Sequence, residues 1–103
     1  GDVYKRQVLV NFTAAWCITC LVNEKVAISQ EQVQAQLREK GVVYMKGDWT
    51  NKDPQITEML RRYERSGVPL YLLFPGNGQE ALVLPNILTE GILTDALQQV
   101  VTP

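Results

Sequence analysis

The stretch Phe12-Thr13-Ala14-Ala15-Trp16-Cys17-Ile18-Thr19-Cys20 constrains this chain more than any other. Two periodicities meet inside it. Val8-Leu9-Val10-Asn11-Phe12 is a nearly continuous apolar run with β-branched Val8 and Val10, which predicts a buried strand of a parallel or mixed sheet. From Cys17 to about Val26 or Ile28 the pattern is helical, and Thr13–Trp16 is the turn between them. Both cysteines sit at that helix start. The first backbone N–H groups of a helix are unpaired, and the helix dipole places partial positive charge there. A thiolate at that end is stabilised and becomes a nucleophile near neutral pH. The spacing puts the second sulfur on the same face one turn later, within reach of a short disulfide.

The rest of the composition narrows the chemistry. The two cysteines are accompanied by no histidine. A structural zinc site needs four Cys or His ligands, so no metal site is expected, and a histidine-based triad is excluded. A single CxxC fits a catalytic dithiol better than a disulfide framework. The net charge is −1 without a basic stripe, so nucleic-acid binding has no support. The longest apolar runs are about five residues, far short of the roughly 20 that span a bilayer. Gly1–Gln7 has no apolar h-region, so no signal peptide is expected within it, and it reads as a linker or terminal extension. The length of 103 residues predicts one domain, placed at residues 8–103.

Further along, Ser29-Gln30-Glu31-Gln32 predicts a capping box, with Ser29 at the N-cap and Gln32 at N3. The helix it opens carries Val33 and Leu37 on one face and ends near Lys40-Gly41. Val42–Lys46 is expected as a second central strand, followed by a polar loop that contains Trp49. Asp53-Pro54 opens a helix whose Ile56, Met59, Leu60 and Tyr63 form one buried stripe. Ser66-Gly67-Val68-Pro69 breaks it, and Leu70–Phe74 is a third strand. Pro75-Gly76-Asn77-Gly78 predicts a hairpin turn to an antiparallel partner at Glu80–Leu84. Thr89 caps a last helix with Ile92, Leu93, Ala96, Leu97, Val100 and Val101 on its apolar face.

Three of these features together resemble the thioredoxin superfamily: the strand running into Trp16-Cys17-Ile18-Thr19-Cys20, the Gly67-Val68-Pro69 before a strand, and the hairpin-plus-helix ending. The resemblance covers Val8–Val101 and implies an α/β fold with a central mixed sheet of about four strands flanked by helices. Within the superfamily the chain is most similar to the C-terminal periplasmic domain of DsbD-type thiol:disulfide interchange proteins, including ScsB-like relatives. Asn11–Cys20, Asn23-Glu24-Lys25, Asp48-Trp49-Thr50-Asn51 with Asp53-Pro54, and Ser66–Tyr71 carry that likeness. Thioredoxin proper more often has Gly-Pro between its cysteines, where this chain has Ile18-Thr19.

The resemblance implies a protein-disulfide reductase that needs no cofactor beyond a redox-active Cys17–Cys20 disulfide. Cys17 attacks and Cys20 resolves. Trp16 covers the disulfide, Pro69 is cis, and the Val68 backbone docks an extended substrate segment. Glu24 lies on the helix face of both cysteines and is the candidate proton partner and tuner of the dithiol. Asn11 departs from the family, because the expected residue there is a buried aspartate and an amide does not titrate. Trp49 reads as packing, and Phe12, Leu72 and Phe74 as core. The implied partners are the transmembrane part of the same protein and periplasmic redox proteins or domains with a disulfide, and the isolated domain is expected to be monomeric. The implied location is the periplasmic side of an inner membrane. Two other readings stay open from the residues: a free-standing cytosolic thioredoxin-like reductase, and a non-catalytic binding module built on the same fold.

Overall fold

The computed structural model describes residues 7–76 and 80–99. The expectations for residues 1–6, for Asn77 and Gly78 of the hairpin turn and for Val100 and Val101 lie outside them. The order is β1 (Val8–Thr13), α1 (Ile18–Asn23), a π-helical turn (Glu24–Ile28), α2 (Glu31–Lys40), β2 (Val43–Asp48), α3 (Pro54–Arg62), β3 (Leu70–Phe74), β4 (Leu82–Val83) and α4 (Glu90–Gln99).

The four strands form one mixed sheet in the order β2-β1-β3-β4. β1 runs parallel to β2 and antiparallel to β3, and β3 runs antiparallel to β4. The fold class matches the sequence expectation. β1 and β3 are central and almost wholly buried, in keeping with their unbroken apolar runs. The expected second central strand is instead an edge strand among the described residues, and Met45 and Lys46 on it are exposed. The antiparallel partner shrinks from Glu80–Leu84 to Leu82–Val83.

Each sheet face carries its own core. On one face Leu9, Tyr71 and Leu73 pack with Ala27, Ile28, Val33, Leu37, Leu93 and Leu97 from the π-helical turn, α2 and α4. On the other, Phe12, Leu70 and Leu72 pack with Leu60 and Trp49, flanked by Ile56, Met59 and Tyr63 of α3. Strand periodicity explains the split, because alternate residues point to opposite faces. Each fully buried leucine of these clusters contributes about 1.5–3 kcal/mol relative to exposure.

Local signals start and stop most helices as read. Asp53 Oδ1 accepts from the N–H groups of Gln55 at 2.8 Å and Ile56 at 3.3 Å, with Pro54 in the first turn. Gly41 ends α2 at φ +66°, a left-handed conformation that favours glycine. Thr89 Oγ1 accepts from the Ile92 N–H at 3.1 Å. The capping box at Ser29 does not form. The π-helical turn carries the preceding helix to Ile28 and takes the Ser29 N–H to Glu24 O at 2.8 Å. Ser29 is therefore held at φ −81°, ψ 0°, whereas an N-cap needs extended backbone. Gln30 takes the N-cap position without a side-chain bond to α2, its Nε2 donating instead to Lys25 O at 3.1 Å.

Candidate active site

β1 delivers the chain into a tight turn in which the Cys17 N–H bonds Ala14 O at 3.1 Å. Thr50 fastens this loop from outside. Its Oγ1 accepts from the Ala15 N–H at 2.8 Å, and its carbonyl accepts from Trp16 Nε1 at 3.0 Å. Asp48 in turn accepts from the Thr50 N–H at 2.9 Å and from its hydroxyl, and these bonds hold the Asp48 carboxyl below the usual carboxylate range.

Cys17 is the N-cap of α1 and uses its sulfur as the cap. Cys17 Sγ accepts from the Cys20 N–H at 3.2 Å. The two cysteines form a disulfide with a Cα–Cα distance of 5.2 Å. Cys17 is 7% exposed and Cys20 1%, so Cys17 is the more accessible of two covered residues. Ala14 and both cysteines make one small apolar cluster, and Val68 packs against it. The Val68–Pro69 peptide bond is cis, and Pro69 is buried.

The structure thus brings Cys17, Cys20 and Val68 together. Trp16 stands beside them, 52% exposed, with its ring 5.8 Å from that of Trp49 and tilted by 55°. Trp49 itself is buried, donates from Nε1 to Thr57 Oγ1 at 2.8 Å and belongs to the second core. Ile18, between the cysteines, is 77% exposed.

Glu24 falls elsewhere. Its Oε1 accepts from Lys46 Nζ at 2.8 Å, and this ion pair lines a groove of about 450 Å³ with Ala14, Leu21 and Asp48. The cysteines do not line that groove. Glu24 raises the Lys46 pKa through this bond. Asn11 is buried between Lys46 of β2 and Tyr71 of β3 in the sheet register. Its Nδ2 donates to Tyr44 OH at 2.8 Å, while its Oδ1 has no partner.

One residue of the site was missed by sequence reasoning. Asn23 lies three residues after Cys20, on the buried side of α1. Its Nδ2 donates to Tyr71 OH at 2.9 Å and to Asn86 O at 2.7 Å, and its Oδ1 accepts from the Leu88 N–H at 3.0 Å. An amide at a position spaced for the core is the signal that marks it. Burial pushes the Tyr44 and Tyr71 hydroxyls above the ordinary tyrosine pKa, partly offset by their bonds to Asn11 and Asn23. Among the described residues no group of three or more His, Cys, Asp or Glu is placed to hold a metal ion.

Comparison with known proteins gives consistent relatives. A thioredoxin-like family model matches residues 4–76. Thiol:disulfide interchange protein DsbD of Photorhabdus laumondii is 33% identical over 75 residues, covering 73% of this chain and 13% of that protein. DsbD of Klebsiella pneumoniae is 36% identical over 73 residues, covering 71% of this chain and 12% of that protein. The chain therefore spans about an eighth of these curated relatives. In structure it is similar to the oxidised C-terminal domain of Neisseria meningitidis DsbD, with a TM-score of 0.78, 19% identity and coverage of 95% and 83% of the two chains. A thioredoxin from Thermus thermophilus superposes with a TM-score of 0.76, 24% identity and coverage of 96% and 76%.

Proposed function

This chain belongs to the thioredoxin-like family, and from that premise we propose that it is a thiol:disulfide exchange domain of the DsbD type. The observation that carries the reading is the Cys17–Cys20 disulfide capping α1 beside Val68. In the reduced protein the Cys17 thiolate takes the Cys20 N–H as a charge-assisted hydrogen bond, which lowers its pKa. It attacks a partner disulfide, forms a mixed disulfide and releases one partner sulfur as thiolate. Cys20 then loses its proton and attacks Cys17 Sγ. The Cys17–Cys20 bond forms, the second partner sulfur leaves, and two electrons have passed to the partner.

Val68 and Trp16 form the docking edge around the attacking sulfur, with Pro69 fixing the backbone direction. An extended partner segment pairs with the Val68 backbone. Glu24 acts from the groove side, just beyond the end of α1, where it tunes the dithiol electrostatically. Lys46 tempers its charge.

The identity to DsbD proteins supports a place at the end of a membrane reductant transporter, on the periplasmic side of the inner membrane. The electron donor is then the transmembrane part of that protein, and the acceptors are periplasmic disulfide-bearing domains. No helix among the described residues is long and apolar enough to cross a membrane. The fold alone does not separate this reading from a free-standing thioredoxin, since both structural relatives superpose about equally well. The sequence identities favour DsbD.

The test is a trap. Reduced Cys20→Ser protein is mixed with a disulfide-bearing partner domain, and adducts are read by mass spectrometry. A stable mixed disulfide through Cys17 is expected, with none in Cys17→Ser. Absence of any adduct removes the reading.

A further inference from the structure

The geometry points to Asn23 as the positioning residue for Cys20: it locks the helix that carries the resolving sulfur to the Val68–Tyr71 segment. This rests on the exchange reading proposed above. The attachment has two points with matching spacing. Val68 touches the cysteine cluster, and three residues further along each segment Asn23 Nδ2 donates to Tyr71 OH at 2.9 Å. A single contact leaves a short helix free to pivot. A second one, one turn away, fixes its tilt as well as its distance.

Ala27 and Ile28 anchor the π-helical turn that continues α1 in the first core, but α1 itself has few other holds. α1 spans only six residues, and Ile18, Leu21 and Val22 face outward exposed. Its buried residues are Cys20 and Asn23 alone. Asn23 is 1% exposed and uses both amide hydrogens and its oxygen. A leucine of similar size keeps the volume and loses all three bonds, and an aspartate sets a carboxylate oxygen against Asn86 O.

The network closes back on the docking segment. Asn86 O accepts from Asn23 Nδ2, and Asn86 Oδ1 accepts from Arg65 Nη1. Arg65 Nη1 also reaches Pro69 O at 3.5 Å. Asn23 is thus tied to the residues on both sides of the Val68 contact. Reaction rates fall steeply with misplacement of the reacting atoms, so loosening this tie slows attack by Cys20 more than attack by Cys17, whose backbone is held separately by its N–H bond to Ala14 O.

The experiment uses reduced protein and the aromatic disulfide DTNB in excess. Attack by Cys17 forms the mixed disulfide and releases one aryl thiolate, at a rate that rises with DTNB concentration. Attack by Cys20 on Cys17 Sγ releases the second at a rate independent of DTNB. In Asn23→Ala the second release is expected to slow by about tenfold or more, with the first within about twofold. Tyr71→Phe removes one of the three bonds and is expected to slow the second release alone, by about two- to threefold. If Asn23→Ala does not fold, the Tyr71→Phe result decides. An unchanged second release, or equal slowing of both, overturns the proposal. A wild-type protein with no concentration-independent release sinks the exchange reading itself, and the role of Asn23 with it.

Discussion

The Glu24 carboxylate accepts a hydrogen bond from the Lys46 ammonium at 2.8 Å, joining the π-helical turn after Cys20 to the strand beside Asn11. Glu24 follows directly on the helix that Cys17 caps, and the net charge of the pair is zero. A lone carboxylate there raises the thiol pKa by like-charge repulsion. A paired one does so only weakly.

Breaking the pair from either side therefore moves the thiols in opposite directions. Glu24→Gln leaves Lys46 unopposed and lowers the thiol pKa by less than about one unit. Lys46→Met leaves Glu24 unopposed and raises it by a similar amount. The pH dependence of thiol alkylation in the reduced protein checks both. Shifts of the same sign in the two variants contradict the electrostatic role of Glu24.

Stability depends on pH at the alkaline end. Burial pushes Tyr44 and Tyr71 above the ordinary tyrosine value of 10.0. The unfolded chain then loses these protons first as pH rises, so it binds fewer protons than the native state and stability falls. Stability from these groups is complete below about pH 10 and is lost as pH rises through the folded values. Lys46, raised by Glu24, works in the same direction but is largely exposed and screened. Thermal melts across this range, followed with tyrosinate absorbance, are expected to show a smaller alkaline loss in Tyr44→Phe and in Tyr71→Phe.

Gly47 lets β2 approach the strand that leads to the cysteines. A Cβ there would lie 2.6 Å and 2.9 Å from the Phe12 ring atoms Cδ1 and Cε1. Phe12 is buried in the second core and cannot swing aside freely. Gly47→Ala is expected to cost about 1–3 kcal/mol. A lower urea midpoint with an unchanged slope confirms it, and an unchanged midpoint contradicts it.

What the sequence made legible was what local chemistry decides. β1, the CxxC at a helix start, the Asp53-Pro54 cap and the α3 stripe each depend on neighbours a few residues away. Ser29 misled because the π-helical turn before it reaches one residue further back for its hydrogen bond, to Glu24 O, and holds Ser29 helical. The edge position of β2 depends on strand order, which its own residues do not encode. Asn23 stayed hidden because its partners lie 48 to 65 residues away. Glu24 stands at the start of the π-helical turn, and its partner Lys46 comes from a strand 22 residues further on. Its electrostatic weight could not be read without that strand.

The central claim is that the Cys17–Cys20 pair passes electrons to other disulfides. A domain that does so needs a reducing couple. The most direct measurement equilibrates the protein in thiol buffers of defined potential and counts alkylated thiols by mass after acid quench. The account predicts a two-electron transition nearer thioredoxin's value of about −270 mV than DsbA's of about −120 mV. A transition near about −120 mV, or a pair that never exchanges with the buffer, contradicts it.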